Sequence, residues 1–313
     1  MNIGLDMMGG DFAPFEAVKG IQLYLSELVD SPANLFLIGD ETLINKHLND
    51  LNVDRTNLTI VHASQVIDMH ESPTRALKEK PESSISIGFQ QLASGNTDAF
   101  ISAGNTGAML VGAMFSLKII EGVLRPTIAT IIPKEDGKTG LLVDVGINVD
   151  CKPENLNQFA IMGSVYAKLM LGIENPRVGL INVGEEEGKG NMSVQAAYPL
   201  LKENKQINFI GNIEGRDILF GKADVMVCDG FTGNIILKMA ESLYELAELK
   251  SITHSHFDLF NFEIYGGTPV LGINKPVLIG HGISHALAFK NMILAAQKMI
   301  NTNMLTQMQQ AFT

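Results

Sequence analysis

The stretch DMMGGDFAP, Asp6 to Pro14, follows directly on an apolar run, and Gly9, Gly10 and Asp11 form a loop of the kind that lets a group approach the backbone. Comparable loops recur along the chain. SAGNTGAM sets Ser102, Asn105 and Thr106 before an apolar, small-residue helix. Hydroxyls, an amide and free backbone N–H groups at a helix start suit a phosphate or an oxyanion. VDVGINVDCK places Asp144, Asn148 and Asp150 at the end of a buried strand. Such carboxylates raise the question of a divalent cation, but no glutamate-rich or histidine-bearing partner stands nearby and Lys152 follows at once. No metal is therefore expected, and orienting neighbouring amides or gripping substrate atoms is the better fit. In NVGEEEGKGN the acidic triplet reads as a solvated face. Lys189 and Asn191, framed by Gly188 and Gly190, differ: they bring a positive point charge to an approachable backbone. DGFTGNIILK repeats the idea with Asp229, Thr232, Asn234 and Lys238, the lysine expected about one turn inside the next helix. IGHGISH puts His281 between two glycines at a strand end, with Ser284 at the coming helix as a further candidate phosphate contact. A histidine that titrates near neutrality can serve as acid, base or charge stabiliser.

These loops need elements to hold them. NIGLD, NLFLIGD, LTIVHA, TDAFISAG, GLLVDVG, PRVGLINVG, INFIGNI, ADVMVCDG and KPVLIGHG are short Val/Ile/Leu-rich runs. Helical patterns separate them, among them Glu16–Leu28, Glu41–Leu51 and Ser84–Ser94. Continuous apolar runs between helices mean strands buried on both faces, hence a mostly parallel sheet layered with helices in an α/β fold. Loops at the carboxyl ends of such strands are where these folds bind ligands. Length suggests one α/β domain over residues 1–313, with room for two subdomains.

Composition narrows the function. A hydrophobic share of 46% supplies a sizeable core, and a formal net charge of -11 argues against a nucleic-acid partner. The two cysteines, Cys151 and Cys228, lie far apart without a CxxC pattern, so a reducing cytoplasm fits better than a disulfide framework. No signal-like or membrane-spanning apolar run is visible, which reads as soluble or peripheral. The patterns GxSxG, GxxxxGK[ST] and, at the first strand end, GxGxxG are missing, which disfavours a serine hydrolase, a P-loop enzyme and an ordinary dinucleotide enzyme.

Taken as an ordered set, LDMMGGDFAP, ISAGNTGAML, RPTIATIIP, LLVDVGINVDCKPENLNQFAIMGSVYA, PRVGLINVGEEEGKGN, INFIGNIEGRD, ADVMVCDGFTGNIILK and YGGTPVLGINKPVLIGHG resemble the bacterial phosphate acyltransferases of the PlsX type. The resemblance implies transfer of a long-chain acyl group from acyl carrier protein to inorganic phosphate. The acyl phosphate so made feeds phospholipid synthesis. It also implies a homodimer, no cofactor, and a fold related to the isocitrate and isopropylmalate dehydrogenases. A more distant likeness to the phosphate acetyltransferases keeps an acyl coenzyme A donor as the alternative. Those enzymes carry a serine–arginine pair where this chain has Gly280 and His281. The stretch between Lys238 and Tyr265 reads as shorter than in many relatives, which weakens an expectation of peripheral membrane docking or contact with a downstream acyltransferase.

The reaction is attack of a phosphate oxygen on a thioester carbonyl with loss of a thiolate, and it calls for an anion cradle and an oxyanion stabiliser. The cradle is assigned to Ser102, Asn105 and Thr106 with Lys189, Asn191, Thr232 and Asn234. Lys238 and His281 are assigned to the oxyanion or the departing sulfur, and Asp144 and Asp229 to orientation. The helix from Ala108 to Ile120 is a candidate wall for the acyl chain, and Arg75, Lys78 and Lys80 a candidate basic patch for the acidic carrier.

Overall fold

The computed structural model describes residues 1–27 and 31–313. The apolar runs become strands β1 (Asn2–Asp6), β2 (Asn34–Gly39), β3 (Leu58–His62), β4 (Ala99–Ser102), β5 (Thr127–Pro133), β6 (Thr139–Val143), β7 (Arg177–Asn182), β8 (Asn208–Glu214), β9 (Val225–Val227), β10 (Thr268–Leu271) and β11 (Val277–Ile279). The helices are α1 (Phe15–Ser26), α2 (Glu41–Asp50), α3 (Pro73–Glu79), α4 (Ser84–Ala93), α5 (Thr106–Leu117), α6 (Pro153–Leu171), α7 (Met192–Glu203), α8 (Gly230–Leu249), α9 (Ser255–Asp258), α10 (Ala286–Asn301) and α11 (Met304–Gln310). Leu28, the expected end of the first helix, lies outside the described residues.

The chain divides into two compact units, Met1–Ile119 with Glu263–Asn301, and Ile120–Phe262 with Thr302–Thr313. In the first unit the strand order is β3-β2-β1-β4-β11-β10, parallel except for the hairpin partner β10. Ile3, Leu5, Phe100, Ile101, Val277 and Leu278 are fully buried. That is what a sheet covered on both faces requires of its strands. One cover is α1 against α10; the other is α4 against α5. The small residues of α5 serve this packing: a Cβ at Gly112 would lie 2.3 Å from the Phe89 ring. The face carrying Met114 and Phe115 points out of the unit's core.

In the second unit the order is β5-β6-β9-β7-β8, with β5 antiparallel to β6 and the rest parallel. The long helix α6 lies over β6 and β9 and buries Phe159, Met162 and Tyr166. At the amino ends of β7 and β9 a charged lock joins three segments. Asp224 accepts from Lys134 Nζ at 2.7 Å and from Arg177 Nε at 2.9 Å, and Lys134 and Asp224 are buried. Among the described residues, no helix is long and apolar enough to cross a membrane.

Candidate active-site loops

In the first unit the loops after β1, β4 and β11 interlock, and Asp6 lies beneath them. This carboxylate, missed by the sequence reading, accepts from Ser102 Oγ at 2.6 Å and from Met8 N–H at 3.0 Å. Burial pushes its acidity towards a higher pKa, against which these donors pull it down. Gly9 packs backbone to backbone on the next loop, since a Cβ there would come 2.6 Å from Gly104 N. Gly10, at positive φ, faces Gly282 O, to which Asp11 donates its N–H at 2.7 Å. The glycines thus admit neighbouring loops. The Asp11 side chain stays exposed.

Three further candidates in this unit are buried among protein groups. Ser102 is fully buried and its hydroxyl is engaged twice, donating to Asp6 and accepting from Gly104 N–H at 2.9 Å. It cannot touch a phosphate without giving up one of these bonds. Asn105 caps α5 by accepting from Ala108 N–H, and its amide donates to the carbonyls of Asp68, Met69 and Glu71. It ties down the loop before α3. Ser284 is buried with its hydroxyl unpartnered, beside a helix start already taken by carboxylates: Glu16 accepts from Ala286 N–H and Glu263 from His285 N–H. An anion has no favourable place there. What remains on offer is Thr106, exposed at the head of α5, with the Thr106 and Gly107 N–H groups free of a protein acceptor among the described residues. His281 is half-buried, and its carbonyl accepts from Ser284 N–H.

In the second unit the loops after β6 and β9 are built in the same manner. Asp144 is fully buried and accepts from the N–H and the amide of Asn148 at 2.7 and 2.8 Å. Burial raises its pKa and these bonds lower it, with the net shift upward. Asn148 is itself buried, its amide also donating to Pro126 O. Asp229 caps α8, accepting from the N–H and the hydroxyl of Thr232, so both groups of Thr232 are consumed locally. The helix start presses on the Asp144 loop: a Cβ at Gly233 would fall 1.8 Å from Asp144 O, a contact with backbone that cannot rotate away. Gly233→Ala is expected to cost about 2–3 kcal/mol by overpacking, read as a lower midpoint in urea denaturation.

Lys238 does not sit one turn into the helix. Because α8 begins at Gly230, it stands about 12 Å along the axis, exposed, and paired with Glu241 at 2.8 Å. Asn234 in the first turns is exposed beside Gly146. In the loop after β7 the acidic triplet is exposed, as expected of a solvated face, and two of its glutamates form surface ion pairs. Glu185 pairs with Lys222 and Glu187 with Lys202, both at 2.5 Å, and Glu186 O accepts from Asn212. Lys189, two residues on, has no carboxylate partner among the described residues, and its stem lies across Gly184. Asn191 caps α7 through Val194 N–H, leaving the Met192 and Ser193 N–H groups free of a protein acceptor among the described residues. Lys189 precedes that helix start by three residues in the chain, and an unpaired ammonium with free helix N–H groups is chemistry that suits an anion.

The thiols are poor nucleophiles. Burial, with Asp144 and Asp229 nearby, pushes Cys151 up to about 12, and burial pushes Cys228 well above the ordinary thiol range. Among the described residues no three His, Cys, Asp or Glu side chains group to hold a metal ion. The basic patch is largely neutralised: Arg75 pairs with Glu79 and Lys80 with Glu71.

Polar, glycine-rich loops at the carboxyl ends of parallel strands mark an α/β enzyme of the anion-handling kind. A model of the fatty acid synthesis protein family matches residues 1–259. A phosphate acyltransferase of Halothermothrix orenii is 44% identical over 323 residues, covering 97% of this chain and 96% of that protein. The chain belongs to this family of phosphate acyltransferases and is an acyltransferase enzyme. Among solved structures, the EutD phosphotransacetylase from Staphylococcus aureus shares the fold with a TM-score of 0.64 at 20% identity, covering 95% of this chain and 94% of that one. A 4-hydroxythreonine-4-phosphate dehydrogenase from Klebsiella pneumoniae does so at 0.57 and 13%, covering 95% and 97%.

Proposed function

We propose that the chain transfers a long-chain fatty acyl group from acyl carrier protein to inorganic phosphate, making acyl phosphate for phospholipid synthesis. Residues 1–313 act as one catalytic domain. The observation that carries the reading is Lys189, which stays without a carboxylate partner in a loop whose Glu185 and Glu187 are paired elsewhere. In the second unit, Lys189 with the first N–H groups of α7 binds anionic oxygen, and Asn234 presents its amide from α8. In the first unit, the head of α5 with the Thr106 hydroxyl offers the same chemistry, and His281 stabilises developing charge. Asp144, Asn148, Asp229 and Thr232 hold loop shape. The protonated thiols support direct attack by phosphate without an acyl-cysteine intermediate. Kinship with the isocitrate and isopropylmalate dehydrogenases belongs to this reading, supported by the dehydrogenase that shares the fold. So does a homodimer, for which α8 has a surface to offer: Phe231, Ile235, Met239, Leu246 and Leu249 are all exposed.

Steady-state rates with phosphate and either an acyl carrier protein thioester or the matching coenzyme A thioester decide the donor. The carrier thioester is expected to give the higher kcat/KM, and a preference for coenzyme A establishes the alternative. Arsenate in place of phosphate is expected to cause net thioester hydrolysis, because the acyl arsenate falls apart in water. Accumulation of acylated protein instead would sink direct attack.

A further inference from the structure

We infer that Asp6 is a positioning residue for phosphate, acting through Ser102 on the peptide of Gly104 and so on the N–H groups at the head of α5. The inference rests on the reading of the enzyme as a phosphate acyltransferase. Its geometry is a relay of three groups. The Asp6 carboxylate accepts the Ser102 hydroxyl proton at 2.6 Å, which leaves the oxygen of that hydroxyl to accept Gly104 N–H at 2.9 Å. Both side chains are buried, so water does not compete for either bond. A hydrogen bond to a carboxylate in such a place is short and directional. Gly104 immediately precedes Asn105, the cap of α5, and the next two residues carry the open N–H groups.

The surroundings leave the relay little play. Gly9 sits so close that a Cβ on it would reach within 2.4 Å of the Asp6 carboxylate and 2.6 Å of Gly104 N. The loop after β11 is tied in as well, Gly280 N–H donating to Ser102 O at 2.8 Å. The direction of the Gly104 peptide is thus set from below by one carboxylate far earlier in the chain, that of Asp6. Ser84 provides the internal control. Its hydroxyl acts on Asp6 to lower its pKa and is equally buried, yet no bond leads from it to Gly104.

The test compares Ser102→Ala, Ser84→Ala and Asp6→Asn in the full chain, with two readouts. One is the KM for phosphate against the KM for the thioester. The other is the phosphate concentration that half-protects the protein in thermal melts. Ser102→Ala and Asp6→Asn are expected to raise both phosphate values about tenfold, with thioester KM within about twofold and Ser84→Ala near wild type. Equal effects of Ser84→Ala and Ser102→Ala overturn the relay, because they show a general packing role. A parallel rise in both KM values, unchanged phosphate values in Ser102→Ala, or a wild type that phosphate fails to protect overturns it too. Should Asp6→Asn not fold, the two serine variants still decide. A wild type that phosphate protects but that forms no acyl phosphate refutes the assigned reaction and leaves the relay measurable by protection.

Discussion

Lys189→Ala is expected to lower acyl phosphate formation about 100-fold while leaving the melting temperature essentially where it was. The two halves of this expectation have different origins. Stability is spared because Lys189 holds no carboxylate among the described residues and is exposed. Activity is expected to suffer because, in the proposed reading, the ammonium makes a charge-assisted bond to phosphate alongside the helix N–H groups. The glutamates of the loop offer no compensation; bringing them closer would repel the substrate. Lys189→Arg is expected to recover part of the rate, since the charge returns with different geometry. Rates at saturating thioester over a range of phosphate concentrations give the measurement. Full activity in Lys189→Ala would remove the principal support for the anion assignment in this unit.

The polar residues at the strand ends divide into two kinds, and sequence shows only that they are polar. Ser102, Asn105, Asn148 and Thr232 are all consumed by caps and loop bonds. Thr106, Lys189 and Asn234 stay exposed. The difference depends on partners far along the chain: Asp6 meets Ser102 at a separation of 96 residues, and alone it reads as an ordinary turn aspartate. The strands were legible where short runs of large apolar residues mark them, as in Leu-Phe-Leu-Ile of β2 and Val-Gly-Leu-Ile of β7. The antiparallel strands β5 and β10 escape that pattern through their threonines and prolines. The expected place of Lys238, one turn into its helix, fails for a related reason. Gly230 and Gly233 look like loop residues, but they are glycine because the first helical turn lies against the backbone of Asn148 and Asp144. Placing the start at Gly230 is what carries Lys238 away from the helix head.

Asp224→Ala carries the largest expected loss of stability, about 3–4 kcal/mol, because it strands the buried ammonium of Lys134 without a partner. The carboxylate also receives two bonds from the Arg177 guanidinium and one from its backbone N–H. Burial by itself would raise the pKa of Asp224. The bonds from Arg177 and Lys134 outweigh it and hold the group well below the usual carboxylate range. The sign of the pH dependence follows. A carboxylate depressed in the folded state contributes stability that is fully present above its unfolded pKa of about 3.9 and fades as the pH falls through the folded value. Wild type is therefore expected to lose stability below about pH 4 more steeply than Asp224→Asn, which lacks the titrating group. Urea denaturation at neutral and at acid pH measures both effects. Lys134→Met should cost less than Asp224→Ala, since Arg177 still neutralises the aspartate and the apolar stem fills the space. A larger loss in Lys134→Met would mean that the ammonium, and not the carboxylate, is the centre of the lock.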